Sequence, residues 1–201
     1  MRLLELFAGT GSVHKAVGDQ FAEVVSLDIL SKWKPTIVSD IMEWDYRVYP
    51  PDHFDVIWAS PPCTHYSVAK TRGVRDIEGS NRIVARVLEI IKYFSPRLWF
   101  MENPQTGLLK SQDVVADVPY YDVDYCQYGM NYRKRTRIWT NKKDFAPLLC
   151  DRTTCQGMVE TAHGKRHKWS CGNGHPNQSD KTMKLAEKYI IPESLVKALF
   201  L

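Results

Sequence analysis

The chain has 201 residues, and none of its apolar runs approaches the length needed to cross a bilayer. It also lacks a leader pattern. Met1-Arg2-Leu3-Leu4-Glu5-Leu6-Phe7 carries an acid inside its apolar run and offers no small-residue cleavage site. That stretch reads better as a first strand than as a signal peptide. Strong charge is missing too: the net charge is +4, which permits a polyanionic partner without demanding one. Cysteine is scarce and odd in number, with five residues. Without a secretion signal, this argues against a disulfide framework and for a reducing compartment. The chain is therefore expected to be cytoplasmic, inside a bacterial or infected-host cell, with no membrane partner. No internal repeat is visible. Hydrophobic content of 44% and charged content of 25% are those of a globular protein. The length suits one full core, with or without a small appendage.

What is present is an alternation of short apolar runs with glycines, acids or prolines at their ends. Residues 3–7 lead into Ala8-Gly9-Thr10-Gly11-Ser12, and Val13 to Val17 follow with helical character. Strand, glycine turn and helix make a place where backbone approaches a ligand closely and free N–H groups point outward. A second run, Val24 to Ile29, contains Asp28 near its end, about 20 residues after the glycines. In nucleotide-binding βαβ units an acid at that position bonds ribose hydroxyls. The plain alternative is a turn or cap acid. Asp40 follows the short strand Thr36-Ile37-Val38. It is either another turn aspartate or a partner for an adenine amino group.

Phe54 to Trp58 reads as a buried strand that leads into Ala59-Ser60-Pro61-Pro62-Cys63. Proline has no N–H to continue a ladder and a fixed φ, so the pair holds Cys63 stiffly beyond the strand end. Ligands of open α/β sheets bind there. The alternatives are a nucleophile on a rigid mount and a turn that contains a buried cysteine. Residues 68–79 are polar and read as a mobile surface loop. Ile83 to Phe94 has helical apolar spacing and reads as a crossover helix, broken at Ser95-Pro96. Leu98 to Met101 is the next buried strand, ending in Glu102-Asn103-Pro104. Right-handed crossovers make successive strands neighbours, so Cys63 and Glu102 should emerge at one sheet edge. Arg133, Arg135 and Arg137 alternate and share a face if extended. They form either a solvated basic edge or a site for phosphate or carboxylate.

As an ordered set, Leu6-Phe7-Ala8-Gly9-Thr10-Gly11, Leu27-Asp28, Asp40-Ile41, Ser60-Pro61-Pro62-Cys63, Met101-Glu102-Asn103 and Arg135-Thr136-Arg137-Ile138 resembles the cytosine-5 DNA methyltransferases. The match covers residues 1 to about 140. The resemblance implies an α/β fold: a Rossmann-like, mostly parallel sheet with helices on both faces and an antiparallel hairpin at one edge. It implies S-adenosylmethionine as cofactor. Phe7 would pack on adenine, and Ala8, Gly9, Thr10 and Gly11 would lie under the methionine moiety. Asp28 would hold the ribose and Asp40 the adenine amino group, with Ile29, Ile41 and Pro61 completing the cofactor site. Cys63 would be the nucleophile, Glu102 would bind the cytosine edge, and Arg135 or Arg137 would contact the base or its phosphates. This chain departs from the family pattern at Pro104, where valine is common, and at Arg133, where glutamine is common. The family's closing block is reduced to Ile191-Pro192-Glu193 and a final helix.

Residues 142–186 lose apolar periodicity; the resemblance implies that they stand in place of a target-recognition domain, with 1–141 as the catalytic unit and 187–201 returning to it. The insertion contains Cys150, Cys155, Cys171 and His175, whose spacings a structural zinc site can use, with His163 or His167 as alternative ligands. The alternative is free cysteines and solvated histidines. The expected activity is methyl transfer to C5 of cytosine in DNA. Two other readings stay open. One is an RNA (tRNA) cytosine-5 methyltransferase; the other is a cofactor-binding subunit that needs a partner chain or oligomer for target recognition.

Overall fold

The computed structural model describes residues 1–160, 164–167, 169–170 and 185–201. In chain order the elements are β1 (Arg2–Leu6), α1 (Ser12–Val17), β2 (Glu23–Asp28), β3 (Ile37–Val38), β4 (Val56–Ala59), α2 (Ile77–Phe94), β5 (Leu98–Pro104), β6 (Tyr120–Asp124), β7 (Tyr132–Arg133), β8 (Arg135–Thr140), β9 (Met158–Val159), β10 (Arg166–His167), β11 (Trp169–Ser170), α3 (Leu185–Lys188) and α4 (Glu193–Phe200). Seven strands form the main sheet in the order β3-β2-β1-β4-β5-β8-β6. Pairing is parallel from β3 to β5. β8 runs antiparallel between β5 and β6. This is the expected mostly parallel sheet with an antiparallel edge.

Both faces of the sheet are buried, and strand alternation sorts the side chains. Leu4, Leu6, Ile57, Ala59, Met101 and Trp139 share a core with Val84, Val87, Ile90 and Phe94 of α2. Leu3, Val56, Trp58, Phe100 and Ile138 share the other with α1 and with Leu195, Val196 and Leu199 of α4. That two-sided burial is why these strands read as continuous apolar runs. No helix among the described residues is long and apolar enough to cross a membrane.

Two boundaries differ from the sequence expectation. α2 begins at Ile77, six residues before Ile83, because the Asp76 carboxylate caps it by accepting from Gly79 N at 2.7 Å. The loop before it is tied by Arg75, whose guanidinium donates to the carbonyls of Ser67 and Lys70 at 2.6 and 2.7 Å. β5 does not stop at Met101. It runs to Pro104, because β8 supplies partners Ile138, Arg137 and Thr136 for Glu102, Asn103 and Pro104. A proline at the last strand position forfeits no interior ladder bond.

The buried Glu5 organises the first turn of α1. Its carboxylate accepts from Val13 N at 3.3 Å, His14 N at 3.2 Å and His14 Nδ1 at 2.6 Å. An acid at a helix N-terminus satisfies otherwise unpaired N–H groups. The bond to Glu5 raises the His14 imidazole above its ordinary 6.5. The sign follows from linkage: stability from a raised histidine is complete below pH 6.5 and is lost as pH rises through the folded value. We expect Glu5→Ala to cost about 1–3 kcal/mol in urea unfolding. We also expect the wild type, but not His14→Gln, to lose stability as pH is raised above 6.5.

Candidate active site

The C-terminal edge of the parallel strands carries a turn built from left-handed residues. Phe7, Gly9 and Gly11 have φ of 58°, 50° and 70°. Such values strain any residue with a Cβ. At Gly11 there is also no room, since a Cβ would meet the His14 ring at 2.2 Å. The turn is pinned to β2: Ala8 N donates to Leu27 O at 3.0 Å, and Gly9 N donates to Asp28 Oδ2 at 2.9 Å. Asp28 Oδ1 accepts from Leu30 N at 2.8 Å. Each carboxylate oxygen thus keeps a lone pair for a further donor, such as a ribose hydroxyl. Thr10 and Ser12 hydroxyls lie 2.9 Å apart beside this turn. Ser12 Oγ also accepts from Ile191 N at 3.2 Å, which brings the chain before α4 to the turn.

Beyond β2 and β3, Ile29 and Leu30 are exposed. Phe7 is half-buried against the core. Asp40 shapes the next turn by accepting from Met42 N at 2.9 Å. The Ile41 side chain is core, 3% exposed, and the exposed apolar side chain here is Met42. These features fit a nucleoside cofactor.

Cys63 follows β4 and Glu102 lies in β5, and the two strands pair in parallel with Ala59 opposite Met101. The loop is held at several points. Ser60 N donates to Leu6 O at 3.2 Å, and Asn103 Nδ2 donates to the Pro61 carbonyl at 2.8 Å. The Cys63 carbonyl accepts from Tyr66 N and Ser67 N at 3.1 and 2.9 Å. The buried Tyr66 donates to Asn81 Oδ1 of α2 at 2.8 Å. Burial pushes the Cys63 thiol up, the Glu102 carboxylate adds to this, and the Lys134 ammonium opposes it. Glu102 is 8% exposed, and its Oε2 has no hydrogen-bond partner among the described residues. Asn103 Oδ1 and Thr136 Oγ1 are likewise unpartnered there. Each such buried atom costs on the order of 1–3 kcal/mol unless something else satisfies it. Glu102 and Thr136 share one face of the β5–β8 ladder, and Asn103 faces the other way.

Two of the three arginines find carboxylate partners within the fold. Arg133 grips Asp124 with bonds of 2.9 and 3.0 Å, and Arg137 grips Asp122 with bonds of 2.7 and 2.9 Å. The Arg137 guanidinium lies 3.5 Å over the Tyr120 ring. Arg135 is half exposed and 3.8 Å from Asp124. In the ladder Arg137 pairs with Asn103, while Glu102 pairs with Ile138. Alternation therefore puts Arg135 and Arg137 on the sheet face opposite Glu102. The carboxylates of β6, rather than a phosphate, occupy two of the three forks. Lys134 is the cation that acts on Cys63, and spacing alone did not single it out. It lies between β7 and β8, with Nζ donating to the Lys188 carbonyl at 3.4 Å.

A second cluster lies at the far edge of the hairpin. Cys150, Cys155 and His167 come together with Cys126, which the sequence reading had left aside. Cys171, His175 and His163 lie outside the described residues. Burial and the two neighbouring thiols push the Cys126 thiol up. A basic cleft of about 200 Å³ adjoins it, lined by Arg133, Arg152, Met158, Lys165, Arg166 and His167.

Comparison with known proteins decides the family. Residues 1–133 match the model of the C-5 cytosine-specific DNA methylases. The chain is 33% identical over 214 aligned positions to the "Probable DNA (cytosine-5)-methyltransferase" of Frog virus 3 (isolate Goorha), covering 98% of this chain and 97% of that protein.

The chain belongs to the C-5 cytosine-specific DNA methylases.

A second relative within reach is the Type II methyltransferase M.CviJI of Paramecium bursaria Chlorella virus IL3A, 24% identical over 85% of this chain and 42% of that protein. Among solved structures, Entamoeba histolytica methyltransferase EhMeth aligns with TM-score 0.56 at 16% identity, over 73% of this chain and 56% of that one. A prophage-encoded DNA modification methyltransferase from E. coli aligns with TM-score 0.55 at 15% identity, over 75% of this chain and 52% of that one. At these identities the two structures speak for the fold, and the chain spans about half of their length. The Rossmann-like architecture and an S-adenosylmethionine-dependent chemistry follow from membership of this family.

Gly11→Ala places a Cβ against His14 and strains the turn. We expect it to weaken S-adenosylmethionine binding at least about tenfold, or about 1.4 kcal/mol, in calorimetric titration. Unchanged affinity would separate the turn from the cofactor.

Proposed function

We propose that this chain methylates C5 of cytosine in DNA through a covalent bond between Cys63 Sγ and C6 of the base. The observation that carries the proposal is the lock between the Cys63 loop and β5. A thiol and a buried carboxylate with an unsatisfied oxygen meet at one sheet edge, next to a turn suited to a nucleoside.

S-adenosylmethionine, when bound, supplies an electrophilic methyl group. Phe7 to Gly11, Asp28, Ile29, Asp40 and Pro61 would hold it. The chain's own residues must make cytosine nucleophilic, since C5 unaided is too poor a nucleophile. The Cys63 thiolate adds to C6, and the ring's electron density moves to C5. Glu102 shares a proton with N3 and so stabilises the charge that addition creates. After methylation a base takes the C5 proton, the C5–C6 double bond re-forms and the thiolate leaves. A cytosine inside a duplex is out of reach of this site, so the target is flipped out or single-stranded. Arg135, the half-exposed member of its group, and the basic cleft beside His167 offer positive surface to the nucleic-acid backbone. In this reading residues 142–186 do the work of a recognition domain.

Labelled S-adenosylmethionine with duplex DNA, single-stranded DNA and tRNA as acceptors tests the proposal. We expect label in DNA and none with Cys63→Ala. Label confined to tRNA would replace DNA by RNA, and transfer only after a second chain is added would make this a subunit. The pH profile gives a finer test. Lys134 lowers the Cys63 thiol, so Lys134→Gln should move the acid limb of the rate to higher pH.

A further inference from the structure

We propose that Cys126, Cys150, Cys155 and His167 form a closed, structural zinc site that anchors the insertion to the catalytic unit. The four ligand atoms all lie within 4.8 Å of one another. Cys150 Sγ and Cys155 Sγ are each 3.4 Å from His167 Nε2. A tetrahedron with Zn–S about 2.3 Å and Zn–N about 2.0 Å has S···N edges of about 3.5 Å, so these distances are those of ligands around one ion. A three-sulfur, one-nitrogen set with that geometry selects zinc among the common divalent ions.

The ligands come from three pieces of chain: the turn after β6, the segment with Cys150 and Cys155, and β10. Cys126 sits in the short turn Tyr125–Tyr128 that follows β6. Cys150 N donates to the buried Asp124 Oδ2 at 2.9 Å, and Leu148 O accepts from Asp124 N at 3.1 Å. Asp151 shapes the link to Cys155 by accepting from Thr153 N and Thr154 N at 2.9 and 3.0 Å. His167 lies on β10, opposite Met158 of β9. β9 and β10 are two residues each. A hairpin that short has too little core to hold itself, and a metal supplies what packing cannot.

A disulfide does not account for the arrangement. It would consume two thiols and leave the third facing the imidazole, whereas Cys126, Cys150 and Cys155 are all free. Zinc binding balances as three thiols losing three protons to give a site of net charge −1. Arg133, paired with Asp124, lines the cleft beside His167. With four protein ligands no position is left for water or substrate, so the role is structural. His167 also lines the basic cleft, so the ion would fix that surface relative to β6 and β8.

The full chain, purified without chelator, should contain one zinc per molecule by plasma mass spectrometry. Alkylation of this holoprotein should leave Cys126, Cys150 and Cys155 unmodified. A second, isotopically distinct alkylation after chelation and denaturation should label Cys126, Cys150 and Cys155. Substitution with cobalt should give thiolate charge-transfer absorption that weakens in Cys126→Ser. Lack of stoichiometric zinc after reconstitution would overturn the proposal. So would early labelling of Cys126 in the holoprotein. The readouts are metal content and thiol protection, so the result is independent of the chemistry at Cys63.

Discussion

One buried hydrogen bond holds the two halves of the reactive site together. Asn103 Nδ2 donates to the Pro61 carbonyl at 2.8 Å. Proline cannot donate, so a loop that begins Pro61-Pro62 offers only carbonyls, and the strand beside it must supply the donor. Asn103 does so from the position next to Glu102. The bond thereby fixes the Cys63 loop relative to the Glu102 carboxylate, through two stiff residues and one strand register. Effective catalysis by paired groups depends on such fixed separation. The cost is visible at the same place: Asn103 Oδ1 and Glu102 Oε2 stay unsatisfied among the described residues. A bound base would relieve Glu102.

The cofactor side depends on the same edge of the sheet. Glu5 ties α1 to β1 from inside the protein, and Asp28 ties the turn to β2. The segment before α4 closes over them, with Ile191 N on Ser12 Oγ. The last residues of the chain therefore lie beside the first turn. Lys188 and Glu187 offer carbonyls to Lys134 and Tyr132, so that segment also borders the cation beside Cys63.

Much of this edge could be read in the sequence, because local chemistry dictates it. Glycines at Gly9 and Gly11 announce left-handed turns, prolines before Cys63 announce a strand end, and two-sided burial makes strands of unbroken apolar runs. Features that need pairing across strands could not be read that way. The three arginines alternate as expected, but their partners Asp122 and Asp124 emerge only from the register of β6 against β8. Phe7 at positive φ had no local signal, since a bulky residue is the last choice there. Cys126 lies 24 residues before Cys150 in a turn of the catalytic unit, so spacing within the insertion did not point to it. Ile41 shared a motif with Asp40, yet core packing claimed its side chain and left Met42 at the surface.

The account stands or falls on a covalent bond from Cys63 to the base. DNA that carries 5-fluorocytosine tests this most directly, because fluorine cannot leave C5 as a cation and the adduct cannot resolve. Incubation with S-adenosylmethionine should give a protein–DNA species stable to denaturation. Peptide mapping should place the modification on Cys63, with no adduct in Cys63→Ala. An adduct on another cysteine, or methyl transfer to unmodified cytosine without any trapped species, would contradict it.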